Sequence, residues 1–219
     1  MNPTQAAART SIFSSPVKPR VIAARSYAGS GGTITFDVPR YPGKLCIAMF
    51  YSGVSAPTLP TGFTSLATQT ISASAVGTRV CYKFLDGSEA TTLTSTATTS
   101  TGLILLVDGA ISSRAPEIST VANSGGSSTP DPGAVTVTAP QTQTLIIATF
   151  GFATSLANRP TQLPIGFTHE NSLYQESGGN NMSFCCWKPN NCVSSFNPSA
   201  FTVPQNSINS SYTIAVRTA

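Results

Sequence analysis

Apolar and polar positions alternate with a period of two over several stretches of this chain. Residues 33–38 (Thr-Ile-Thr-Phe-Asp-Val) and 135–138 (Val-Thr-Val-Thr) are the plainest cases, and the pattern is that of a strand with one buried face. Residues 79–84 place Val80, Tyr82 and Phe84 on one side and Arg79, Cys81 and Lys83 on the other. Residues 45–51, 103–107 and 145–148 are nearly unbroken apolar runs, which fit central strands covered on both faces. Turns are supplied by Asp86-Gly87, Asp108-Gly109, Pro132-Gly133 and Gly178-Gly179. No stretch combines a 3.6-residue period with helix caps. The pattern predicts an all-β fold, a jelly-roll-like antiparallel β-sandwich.

The pattern also repeats. Leu45-Cys46-Ile47-Ala48-Met49-Phe50 returns as Leu145-Ile146-Ile147-Ala148-Thr149-Phe150, and Leu59-Pro60-Thr61-Gly62-Phe63-Thr64 returns as Leu163-Pro164-Ile165-Gly166-Phe167-Thr168. Cys81-Tyr82-Lys83 matches Cys186-Trp187-Lys188. Ser30-Gly31-Gly32 and Ser124-Gly125-Gly126 each precede an alternating strand, and 102–108 corresponds to 211–217. Blocks kept in one order point to an internal duplication, with copies at 20–111 and 116–219. The junction between them is no longer than an ordinary inter-strand connection, which favours one sandwich with pseudo-twofold halves over two separate ones. Residues 1–19 are polar, hold Pro3, Pro16 and Pro19, and show no period; they are expected to form an extended N-terminal arm.

Composition narrows the function. Only 9% of residues are charged, whereas 30 Thr and 29 Ser among 219 positions supply hydroxyls. Soluble domains average about 25% charged residues, so a solvent face of Thr and Ser in place of charge is expected. The formal charge of +4 is uneven. Residues 1–44 hold six Lys or Arg and one acid, and the remainder holds six against seven. Arg9, Lys18, Arg20 and Arg25 therefore stand out as partner-binding candidates. Four cations make a sparse footprint for counterion release from nucleic acid, and a neighbouring protein subunit suits them better. No apolar run approaches the ~20 residues of a membrane span. The first residues lack a basic flank followed by an apolar stretch, so folding in a cytosol is expected. The five cysteines are then expected as thiols.

Catalytic equipment is thin. His169 is the single histidine, its counterpart in the first copy is Ser65, and no Gly-x-Ser-x-Gly elbow accompanies it. A surface loop residue is the expected role. Asp86 and Glu89 fall in one turn, Leu85-Asp86-Gly87-Ser88-Glu89, and read as part of it. Cys185 and Cys186 are adjacent and would point to opposite faces of a strand, so they suit no shared tetrahedral ion. Tyr82 and Trp187 alternate inward and are expected in the core. No catalytic, cofactor-binding or metal-binding residue is assigned, and no enzyme activity is expected.

Taken together, the Leu-Pro-x-Gly-Phe-Thr block, the segment Val80-Cys81-Tyr82-Lys83-Phe84, the turn Asp86-Gly87-Ser88-Glu89 and the closing run 103–109 resemble a recurrent module of tailed-bacteriophage virion proteins. The resemblance spans both copies, although the second has lost Asp-Gly-Ser-Glu. It implies a structural part of a virion, assembled in the host cytoplasm. The leading expectation is a capsid decoration (cement) protein that binds major capsid protein subunits as a homo-oligomer, a trimer or dimer, and takes no cofactor. The alternatives are a tail or head-fibre adhesin for a host receptor or glycan, and a small-virus jelly-roll coat protein.

Overall fold

A computed structural model describes residues 18–29, 33–37, 41–53, 55–71, 76–90, 92–96, 100–138, 143–152, 159–177, 181–190 and 194–218. In the first copy these hold β1 (Arg20–Ala28), β2 (Thr33–Asp37), β3 (Leu45–Ser52), β4 (Thr64–Ile71), β5 (Val76–Phe84), β6 (Thr92–Thr96) and β7 (Ser100–Asp108). The second holds β8 (Glu117–Ile118), β9 (Ala122–Ser127), β10 (Val135–Thr136), β11 (Thr144–Phe152), β12 (Ser172–Ser177), β13 (Asn181–Asn190), β14 (Ser195–Phe196) and β15 (Ser207–Arg217), with a 3-10 turn at His169–Asn171. The protein is an all-β antiparallel sandwich.

Each copy builds its own large sheet. The first runs β1-β7-β3-β5-β4; the second runs β12-β13-β11-β15-β8, with β9 also on β15. Aligned by the sequence repeat, the two orders coincide. In each copy the first strand pairs with the last, and a small outer ladder (β2-β6 or β10-β14) pairs the next strand inward with the last but one, β8 and β9 both lying on β15 in the second copy. Such nested pairs are those of one long hairpin rolled up, the jelly-roll logic.

The two large sheets then pack face to face, β1 against β12, β7 against β13, β3 against β11, β5 against β15 and β4 against β8. The contacts of β1 with β12, β7 with β13 and β3 with β13 are answered by their repeat equivalents, β4 with β8, β5 with β15 and β5 with β11, much as in an isologous dimer interface, whereas β7 also packs on β12 without a comparable counterpart. Leu45, Ile47, Met49, Tyr51, Leu103, Leu105 and Val107 meet Leu145, Ile147, Tyr212, Ile214 and Val216 across it. The other faces are covered as well. Cys46, Ala48 and Phe50 pack with Phe63 and Leu85, while Ile146, Ala148, Phe150 and Phe152 pack with Phe167, Phe201 and Val203. Burial on both sides is why β3 and β11 read as continuous apolar runs, each large side chain contributing about 1.5–3 kcal/mol.

The match between the halves is broken at one point. Tyr51 occupies the position equivalent to Gly151, and a Cβ on Gly151 would lie 2.0 Å from the Tyr51 ring. The glycine is the space that the tyrosine fills. Thr149 Oγ1 donates to the Phe184 carbonyl at 2.9 Å, so the Tyr51 hydroxyl, 2.7 Å away, donates to Thr149.

Three sequence expectations need correction. Ser124-Gly125-Gly126, expected ahead of an alternating strand, itself lies inside a strand, β9. The strand expected at 135–138 shrinks to Val135–Thr136, because beyond it the Val137 N–H turns to the loop carbonyl of Ser194. The hydroxyls are not confined to solvent faces. Ser52, Thr78, Ser100, Thr101, Ser183 and Ser210 are completely buried. Several bind backbone instead, as Thr213 Oγ1 does by donating to the Gly133 carbonyl at 2.6 Å. The hydroxyls of Thr78, Thr101, Ser183 and Ser210, by contrast, are buried without a hydrogen-bond partner among the described residues.

Candidate functional site

Of the four partner-binding candidates, Arg9 lies outside the described residues. Lys18, Arg20 and Arg25 are exposed. A shift in register between Val21 and Ala23 on β1 turns Ile22 outward and leaves Arg25 on the outer face, beside Ala23 and Tyr27. The structure brings Lys18 and Arg20 together and sets Arg25 apart. Arg20 reaches Asp108 only loosely, at 3.7 Å, with its side chain 70% exposed. Asp108 is already committed to Lys44 at 2.5 Å, and that hydrogen bond, against the cost of burial, holds its carboxyl below the ordinary range.

Lys18 and Arg20 flank a groove of about 300 Å³ floored by Val21, Leu145, Trp187 and Pro189. Leu145 belongs to the core between the sheets, with Val21 and Trp187 packed at its margin. The groove is thus the open end of the central interface. Sequence alternation places Trp187 inward, and so it is, but only half-buried. A residue at the edge of a two-sheet core serves the core with one face and the groove with the other. Trp187 comes from the second copy, Arg20 from the first and Lys18 from the segment before it, which is why pattern reading along either copy does not bring them together.

A second site grows from the virion-like motif. Gly62 and Gly166 take φ values of 80° and 81°, the left-handed turn that Pro-x-Gly-Phe requires. Each turn lies beside the repeat-equivalent lysine, with Lys83 Nζ and Lys188 Nζ the atoms nearest a Cβ on Gly62 and Gly166. In the first copy Lys83 Nζ meets Glu89 Oε1 at 2.9 Å. The same carboxylate accepts the Asp86 and Gly87 N–H groups at 2.9 and 3.0 Å, while Asp86 Oδ1 accepts the Ser88 N–H at 2.8 Å. Burial by itself would push Glu89 up; Lys83 and the turn amides outweigh it and hold the carboxyl below its ordinary value. The sequence assigns Glu89 to the turn but not to Lys83. Its only signal is a carboxylate placed just after a chain reversal from a strand-end lysine. A cleft of about 420 Å³ opens over this pair, lined also by Thr61, Ser88, Thr92 and Thr94.

The second copy solves the same problem without a carboxylate. Lys188 Nζ lies 4.8 Å from the ring centroids of both Phe167 and Phe196 and donates to the Ile165 carbonyl at 3.3 Å. Burial pushes its ammonium below the usual lysine value.

The remaining chemistry is sparse. Cys46, Cys81, Cys185 and Cys186 are buried free thiols, and Cys192 lies outside the described residues. Burial drives Cys46 up to about 12, and Cys81 and Cys185 upward as well, so none is a ready thiolate. Among the described residues no cluster of metal-ligating side chains occurs. No helix is long and apolar enough to cross a membrane. His169 stands exposed in its 3-10 turn and lines a cleft with Arg159 and Tyr174. The Arg159 guanidinium lies 4.5 Å over the Tyr174 ring. The Tyr174 hydroxyl donates to Glu176 at 2.9 Å, and burial together with that acceptor pushes it up to about 12.

Compared with the known protein families, with curated proteins and with solved structures, the chain matches none.

Proposed function

We propose that the protein is a non-enzymatic structural component of a tailed-bacteriophage virion. Within that class we read it as a capsid decoration (cement) protein that binds and stabilises the major capsid shell as a homo-oligomer. The sequence resemblance supports the virion context. One structural observation carries the docking role, namely the division of the cations. Lys44, Arg79, Lys83, Arg159, Lys188 and Arg217 are each tied to an internal carboxylate, carbonyl, hydroxyl or ring. Lys18, Arg20, Arg25 and Arg114 project. Three of those four precede or belong to β1, at the point where the segment 1–19 joins the sandwich.

Exposed cations at the root of a polar arm, of which only Arg20 has a counter-charge among the described residues and that a loose one, suit an acidic protein neighbour, which they steer and orient more than they hold. Deleting residues 1–19 should leave a folded protein, with an unchanged far-ultraviolet spectrum, that no longer sediments with capsids. Undiminished sedimentation of the deletion variant would overturn the reading.

A further inference from the structure

We infer that the groove between the start of β1 and β13 is a docking slot for an acidic peptide segment of the partner protein, one that pairs carboxylates with an apolar anchor. The inference rests on the decoration reading for the identity of the partner, and on the groove itself for the chemistry.

Three properties select this occupant. The floor is apolar (Val21, Leu145, Trp187 and Pro189) and continuous with the core between the sheets, so an aliphatic or aromatic side chain laid there removes two apolar surfaces from water at once. The walls are cationic. Lys18 and Arg20 line the groove, no carboxylate among the described residues lines it, and Asp108, which Arg20 reaches loosely, is held by Lys44. A small pit of about 40 Å³ extends the groove past Lys18 and Pro189 to Gln143 and Asn190, and it too has no acid in its lining. Finally, the Trp187 indole N–H donates to no acceptor among the described residues. Trp is an amphipathic anchor whose polar edge usually finds a partner at an interface. A carboxylate or carbonyl from an incoming chain would accept from it. A basic or neutral segment would leave Lys18 without counter-charge and Arg20 with only its loose contact to an Asp108 already held by Lys44, so charge complementarity decides for an acidic one.

The adjacent strand suits the same guest. Among the described residues β1 is the edge of its sheet and hydrogen-bonded only to β7, so an extended peptide leaving the groove along Arg20–Ala28 would meet an edge strand.

Trp187 is the only tryptophan in the chain, so its fluorescence reports on this groove alone. The probe is a blocked decapeptide alternating Asp and Glu with Leu and Phe, with a Lys-for-acid version as control. Titrated into the full-length protein, the acidic peptide should shift Trp187 emission in a saturable manner that weakens as salt rises. The double variant K18E/R20E should bind it at least about tenfold more weakly, a loss of ~1.4 kcal/mol. An unchanged near-ultraviolet spectrum serves as the check on its fold.

Equal binding of the basic peptide, or no emission change at a saturating dose, would sink the inference. Binding only after removal of residues 1–17 would assign the groove to the chain's own N-terminal segment. A Trp187 shift that follows protein concentration without peptide would assign it to a second copy. Either result overturns the proposal. The two readings fail separately. Capsid sedimentation undiminished in K18E/R20E would move the dock elsewhere and leave the virion role standing. Peptide binding without capsid binding would do the reverse.

Discussion

The two lysines under the Pro-x-Gly-Phe turns occupy the same place in the repeat and are stabilised by different physics. Lys83 is neutralised by a buried carboxylate that also ties down its neighbouring turn; Lys188 rests on two aromatic rings and a carbonyl. The common element is therefore a long aliphatic stem closing the turn. The head group is served by whatever the copy provides. The second copy does without Asp-Gly-Ser-Glu because Phe196, on β14 of its outer ladder, covers the ammonium together with Phe167. A buried ion pair is replaceable when its partner charge is removed together with the turn that needed it.

The largest expected effect tests the other break in symmetry, Tyr51 against Gly151. Gly151→Ala puts a methyl against the Tyr51 ring and should destabilise the protein by about 3 kcal/mol or more, read as a lowered urea midpoint. Adding Tyr51→Ala should recover part of that loss relative to the sum of the single variants. Additivity would show that the two positions do not share one space.

Next in size is Glu89→Ala, which strands Lys83 and two turn amides. Breaking a buried pair from one side typically costs 3–5 kcal/mol, and since Lys83 is partly exposed about 2 kcal/mol is expected here. The equivalent truncation in the second copy, Lys188→Met, keeps the stem on Phe167 and Phe196 and loses the cation–π attraction and a long, exposed hydrogen bond to the Ile165 carbonyl, within about 1 kcal/mol. Comparable losses from both variants would remove the distinction between the sites.

The smallest effect lies in the pH dependence. Glu89 and Asp108 are held below the ordinary carboxylate range, so they contribute stability above it that is lost as pH falls through their folded values. Lys188 is held below the ordinary lysine value, so at alkaline pH the unfolded chain binds more protons there and stability gains as pH rises towards about 10.4. Glu89→Gln should flatten the acid limb of the stability curve and leave the alkaline limb, and Lys188→Met should do the opposite. One variant altering both limbs would mean that the copies titrate as a unit.

What the sequence made legible follows from burial. β3, β7 and β11 announce themselves because a strand covered on both faces has no polar side to alternate with. β1, β4 and β12 do not, since they lie at sheet edges where Ser, Thr and Ala are as acceptable as Val. The inward hydroxyls contradict the composition-based expectation because a buried threonine that binds a loop carbonyl looks, in sequence, like an exposed one. Lys18 and Arg20 were legible through charge asymmetry. Their meeting with Trp187 was not, because it needs the packing of one copy's sheet on the other.

Pairing each copy's first strand with its own last strand also sets a schedule for synthesis. The first copy can close its hydrogen-bond ladders once residue 108 has emerged, while β11, β13 and β15 are still to come. Until then Leu45, Ile47, Met49, Leu103 and Leu105 form an apolar sheet face without its cover. Such a face is an invitation to aggregate, or to borrow the complementary sheet of another chain. The internal interface that makes the finished molecule stable thus makes its half-made form sticky, and the yield of folded protein depends on how quickly the second copy arrives.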